Sequence, residues 1–242
     1  MLRGFFEGII NIIYPKICLS CRRPLKEKSG VDNFVCNVCY SQIKRNLPPF
    51  CACCGRHLEK KQFARNLCPD CIRARPHFDR AFSPCVYDGV IKELIHQFKY
   101  NSKDYLGTTL SRFMVDFIKE YDFPMEHLDA IVPVPLHKIR LREREFNQAQ
   151  ILSNHLAREF KKDLVEKCLM RRRYTRTQTE LEPHQRLVNV KGSFSVINEK
   201  YIKGKNILLV DDVLTTGATS SEAASTLKEA GAHIVFVLTL AN

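Results

Sequence analysis

Four apolar residues in a row, Ile207, Leu208, Leu209 and Val210, predict a buried parallel strand rather than a half-exposed one, which would alternate. Two acids, Asp211 and Asp212, follow it. Then comes a run of small hydroxyl residues and glycine, and a helical pattern from Ser220 to Ala230. Asp129–Pro135 (DAIVPVP) predicts a second buried strand and Ile234–Leu240 the last one, while Phe194–Val196 predicts the start of an edge strand. Upstream, Ala81–Tyr87 predicts a strand, Asp88-Gly89 a turn and Val90–Phe98 a short helix. Leu106, Leu110, Phe113, Met114, Phe117 and Ile118 keep helical spacing across Asp104–Tyr121, and Phe146–Phe160 predicts a further helix. Strands alternating with helices imply an α/β fold: a parallel sheet with helices on both faces.

Met1–Tyr14 places Leu2, Phe5, Phe6, Ile9, Ile10 and Ile13 on one helical face. This apolar stretch is too short to span a bilayer and has no small-residue cleavage site, so we expect it to pack on the module that follows rather than anchor at a membrane. We expect a cytoplasmic location.

Four C-x-x-C pairs occupy the next segment: Cys18/Cys21, Cys36/Cys39, Cys51/Cys54 and Cys68/Cys71. Two residues between thiolates allow a tight knuckle to offer both sulfurs to one ion, and a second knuckle completes a tetrahedron. Pairing neighbours gives two zinc ribbons. Interleaved pairing and a substitution by Cys53 stay open. A disulfide scaffold fares poorly, because 11 cysteines is an odd number and no secretory signal is expected. The reading divides the chain into 1–75, the helix and ribbons, and 76–242, the α/β domain.

Candidate chemistry gathers where open α/β sheets bind ligands, at the carboxyl ends of strands. Gly217 lets the backbone turn inward. The hydroxyls of Thr215, Thr216 and Thr219 and the amides of the helix start converge, so Val213, Leu214, Thr215, Thr216, Gly217, Ala218 and Thr219 form a phosphate cradle. Asp211 and Asp212 suit sugar hydroxyls or a hydrated magnesium ion. The exit of the second strand, Pro135, Leu136 and His137, leads into Lys138, Arg140, Arg142 and Arg144, a basic loop suited to a diphosphate. Lys99, just after the short helix, is a further candidate, as is Arg173 in the long basic segment Met170–Phe194, which reads as a mobile lid.

Charge changes the picture only modestly. Lys and Arg number 38 against 26 acids, a formal +12. If each ribbon binds zinc through four thiolates, each site contributes about −2 and the chain remains basic. The excess suits an anionic ligand or nucleic acid.

The stretch Ile207–Thr219 resembles the phosphoribosyl pyrophosphate (PRPP) signature of type I phosphoribosyltransferases, hydrophobics followed by D-D-V-x-T-T-G-x-T. The whole chain resembles the ComF/GntX family of competence-associated proteins, a double zinc ribbon ahead of a type I phosphoribosyltransferase-like domain. The four knuckles with Cys54-Gly55, Val132–Pro135, Arg144–Ala149, Thr175 with Gln178, Arg186 with Asn189, and the PRPP signature carry the likeness. The family pattern has glycine after the arginine of R-G-F-N-Q-A, where this chain has Glu145.

The resemblance implies PRPP and magnesium as ligands and a phosphoribosyltransferase activity in which Asp211, Asp212, Arg140 and Arg144 act on the ribose and the departing pyrophosphate. It also implies a role in natural transformation, handling incoming single-stranded DNA with the competence helicase and recombination proteins. In related enzymes a hood over the sheet selects the nucleobase. Acceptor selectivity here would fall to the lid, to Arg75–Asp129 or to the ribbons. The alternative is a non-catalytic single-stranded DNA-binding accessory protein with a vestigial or regulatory PRPP site.

Overall fold

In the computed structural model, residues 16–25, 32, 34–59, 66–100, 103–174 and 189–242 are described. The expected helix at Met1–Tyr14, and Thr175, Arg176, Gln178 and Arg186 of the lid, lie outside them. No helix among the described residues is long and apolar enough to cross a membrane.

Five parallel strands form the main sheet, in the order β1 (Arg80–Phe82), β7 (Ile234–Ala241), β6 (Asn206–Val213), β2 (Ala130–Pro133) and β3 (Asp163–Leu164). β6 is central: Leu208 registers with Ile131 of β2 on one side and Phe236 of β7 on the other. The apolar run thus forms a strand buried on both faces, and its two sets of side chains enter two different cores. Leu208 and Val210 join one core with α3 (Gly89–Tyr100), α4 (Leu106–Glu120) and much of α6 (Gln148–Phe160). Ile207 and Leu209 join the other with α7 (Ala218–Glu229).

The ribbons divide between these two cores. Cys18, Leu19, Val35 and Cys39 of the first belong to the core of α3 and α4, and Cys51, Cys54, Leu58, Cys68 and Cys71 of the second to the core of α7. The ribbons carry two short helices, α1 (Asn37–Ser41) and α2 (Pro69–Ala74). Each begins at a knuckle cysteine: the Cys36 sulfur accepts from the Cys39 amide, and proline follows Cys68 at the start of α2.

Several predicted boundaries move. The strand foreseen at Ala81–Tyr87 shrinks to β1, because Pro84 has no amide to extend the ladder and Cys85 makes isolated bridges only. Phe194–Val196 (β5) is no edge of the main sheet. It pairs antiparallel with β4 (Leu169–Arg171) in a separate hairpin, the base of the basic segment foreseen as a lid. The helix foreseen from Phe146 begins at Gln148, and a separate helix, α5 (Lys138–Arg144), precedes it. Lys99 and Tyr100 belong to the last turn of α3 rather than following it.

Candidate functional site

β6 runs through both acids: Asp211 registers with Thr239 and Val213 with Ala241. Period two then sends the two carboxylates to opposite sides. Asp212 points, like Leu208 and Val210, toward α3, and its Oδ1 lies 2.8 Å from the Lys99 ammonium. Asp212 is only 7% exposed. Burial by itself disfavours the Lys99 charge, but the Asp212 carboxylate more than offsets this and holds Lys99 above its ordinary pKa. Asp211 turns its Oδ1 back to accept the Asp212 amide at 2.8 Å. Desolvation, and then the charge of Asp212, push the Asp211 carboxyl up to about 7. The two acids are unequal: one is the partner of a buried lysine, the other is poised near neutrality.

The loop after β6 is pinned at both ends. The Leu214 amide donates to the Ala241 carbonyl at 2.9 Å, and the Thr216 hydroxyl accepts the Ala218 amide at 3.4 Å. Gly217 has φ +75°, and an added Cβ would meet Phe78 at an ordinary 3.6 Å, so the backbone angle rather than space calls for glycine. α7 starts here, and its first turn, Ala218 to Ser220, lines the same cavity as the acids. Helix amides and the positive end of the helix dipole therefore face that cavity.

The opposite wall is basic. His137 caps α5, its Nδ1 accepting the Ile139 amide at 3.3 Å. Arg140 donates to Glu143 at 3.1 Å and sits 5.4 Å from the Tyr174 ring, which also packs on His137 at 5.5 Å. Arg144 donates to Gln148 Oε1 at 3.2 Å and lies over the Tyr100 ring at 5.2 Å. Glu145 ends α5 at φ +67° and is exposed, off the cavity wall. Left-handed backbone explains why glycine suits that position, and its carboxylate does not face the site. Arg171 of β4 completes the wall. Burial lowers its pKa and the nearby Asp211 charge partly restores it.

One cavity of about 190 Å³ at the carboxyl ends of β6 and β2 is lined by Asp211, Asp212, Lys99, Leu136, His137, Arg140, Arg144, Val213, Leu214, Thr215, Gly217, Ala218 and Thr219. Five foreseen residues are not on its wall: Lys138 and Arg142 are exposed on α5, and three more lie elsewhere. Thr216 turns its hydroxyl to its own loop, Arg173 donates to the Lys191 carbonyl at 3.0 Å across the base of the hairpin, and Pro135 lies between two lining residues. Sequence reasoning missed Tyr87, Asn147, Gln148, Ala149 and Ser220, and gave Arg171 no role in the site. Asn147 and Gln148 were visible in the R-x-F-N-Q-A stretch. Asn147 donates to the Val134 carbonyl and caps α6, and Gln148 donates to the Phe98 carbonyl. Both tie the site's walls together. Tyr87 carries no sequence signal of this kind.

The eight knuckle cysteines form two clusters, Cys18/Cys21/Cys36/Cys39 and Cys51/Cys54/Cys68/Cys71, each with its sulfurs within 4.8 Å of one another. Neighbours pair, and Cys53 belongs to neither cluster. Cys21 and Cys36 sulfurs lie 3.8 Å apart and Cys54 and Cys68 sulfurs 3.7 Å. A Zn–S bond of about 2.3 Å in a tetrahedron gives edges of about 3.8 Å, so the donor sets fit zinc. Amides of Cys36 and Cys68 donate to the sulfurs of Cys18 and Cys51, as thiolate ligands require.

Comparison with known proteins finds two family matches in separate stretches of the chain. The double zinc ribbon domain family matches residues 9–72 and the phosphoribosyl transferase domain family residues 147–242. Competence protein F of Haemophilus influenzae is 31% identical over 230 residues, covering 93% of this chain and 96% of that protein. DNA utilization protein YhgH of Escherichia coli is 30% identical, covering 92% and 95%. Competence protein ComFC of Bacillus subtilis is 32% identical, covering 83% and 80%. With its paired four-cysteine ribbons and its phosphoribosyltransferase-like sheet, the chain belongs to the competence protein F/ComFC family.

Proposed function

We propose that the cavity binds PRPP with magnesium and that the chain is a phosphoribosyltransferase working in the handling of DNA during competence. The observation that carries this reading is the convergence of the acid pair, the loop after β6 and the α5 guanidinium groups on one concavity. In this assignment the loop Val213–Thr219 grips the 5′-phosphate, and Asp211 and Asp212 accept the ribose hydroxyls. The same oxygen-only carboxylates suit a hard cation, and magnesium held there through water would neutralise charge on the diphosphate. Arg140 and Arg144, with Arg171 and Lys99 behind them, face the departing pyrophosphate. Positive charge already in place where negative charge grows lowers the barrier to breaking the bond at the anomeric carbon, without a covalent nucleophile.

Asp212→Asn is expected to abolish PRPP binding while the protein stays folded; calorimetry returning wild-type affinity would remove the assignment. Magnesium-dependent pyrophosphate release with candidate acceptors tests turnover. Salt-sensitive binding of single-stranded DNA without release would instead make the chain a binding accessory whose PRPP site does not turn over.

A further inference from the structure

Between its two pinned ends, the loop after β6 is held from outside the sheet. The Arg56 guanidinium donates through Nη2 to the Thr215 carbonyl at 3.1 Å and through Nη1 to Asp70 Oδ2 at 3.1 Å. Both ribbon residues are placed by ligand cysteines. Arg56 follows Cys54-Gly55, and its carbonyl accepts the Cys51 amide at 2.7 Å within the knuckle. Asp70 lies between Cys68 and Cys71 at the start of α2. The knuckle itself is fixed to the sheet. Gly55 has φ +69°, a Cβ there would meet the Ala81 carbonyl at 2.3 Å, and the Ala81 amide donates to the Cys53 carbonyl. The segment leaving the ribbon continues along the loop's outer side, where the His77 amide donates to Ser221 Oγ at 3.0 Å and Phe78 packs by Gly217.

We propose that Arg56 is a positioning residue of the phosphate loop, through which closure of the second four-cysteine site sets the geometry of Thr215. This rests on the phosphate-gripping role assigned above to that loop. A planar guanidinium can hold a carboxylate and a carbonyl at once in a fixed spread, so Arg56 reads the distance between the two halves of its own ribbon and passes it to the loop. When the Cys51/Cys54 and Cys68/Cys71 knuckles share an ion, Arg56 and Asp70 are held together and Thr215 is drawn to its place. When they part, the fork loses one arm and the loop its outer tether. The first four-cysteine cluster is in the other core and has no such contact among the described residues.

The test uses the full chain without ligand. Hydrogen–deuterium exchange across residues 213–219 is expected to rise about tenfold in Arg56→Ala and in Asp70→Asn, with zinc content unchanged by elemental analysis. Arg73→Ala, which removes the other partner of Asp70 on the outer side, leaves the loop at its wild-type rate. PRPP affinity in Arg56→Ala falls about tenfold. Loop exchange in Arg56→Ala equal to wild type overturns the proposal even if PRPP binds. A loosened loop in a protein whose wild type does not bind PRPP upholds the coupling and removes the phosphate assignment instead.

Discussion

Asp211 and Asp212 are neighbours in sequence but differ in environment, because a strand sends consecutive side chains to opposite faces. Asp212 meets Lys99, whereas Asp211 is desolvated beside a like charge and its carboxyl is pushed up to about 7. An unfolded aspartate ionises near 4, so between about pH 4 and 7 the folded state binds the extra proton and stability falls as pH rises through that window. Above it the loss is complete. On the proposed assignment, magnesium and ribose call for the ionised carboxyl, so PRPP affinity is expected to rise about tenfold from pH 6 to pH 8. Calorimetry at the two values checks this. Asp211→Asn should flatten whatever share of the rise belongs to this carboxyl rather than to the ligand's own phosphates, and a mutant with the full wild-type rise would assign it to the ligand.

Among the elements, the parts legible in the sequence were those whose signal is local. The apolar run of β6, its acids and its glycine appear side by side, and one strand end holds them all in register. The helical spacing of Leu106 to Ile118 likewise places one apolar stripe in one core. The helical form of α5, read as a basic loop, and the exact start of α6, read at Phe146, were not legible, because the boundary depends on a left-handed residue at Glu145 and on the Asn147 side chain bonding both the Ala149 amide and the Val134 carbonyl. Helical propensity runs through that point, and only the cap shows where the chain turns. The pairing of β5 with β4 was hidden for a similar reason. A three-residue strand says little about its partner, and here the partner lies across the long basic segment. Asn147→Ala is expected to cost about 1–2 kcal/mol through the lost cap and the unpaired carbonyl. Chemical denaturation measures it; a change below a few tenths would show that the break is held by other contacts.

At the scale of the whole molecule, the ribbons flank the sheet, one in each of its cores. We expect about two zinc ions per chain by elemental analysis. Stripping them with a chelator should lower the melting temperature of the entire chain in one transition, because knuckle cysteines and strand side chains are buried together. Calorimetry resolving an unchanged transition for the sheet would show that the ribbons fold on their own. The spacing of the knuckles made the ribbons legible, but it said nothing of where they dock. That is set by side-chain contacts such as Asn46 donating to the carbonyls of Gly55 and Ser83.

β1 leaves the second ribbon directly, yet it pairs with β7, and the Asp79 carboxylate accepts the amide of Val235, 156 positions along the chain. During synthesis the knuckles emerge from the ribosome and can capture metal long before that neighbour exists. The nascent chain would then carry a metallated head with an unpaired strand edge until β7 arrives to cover it.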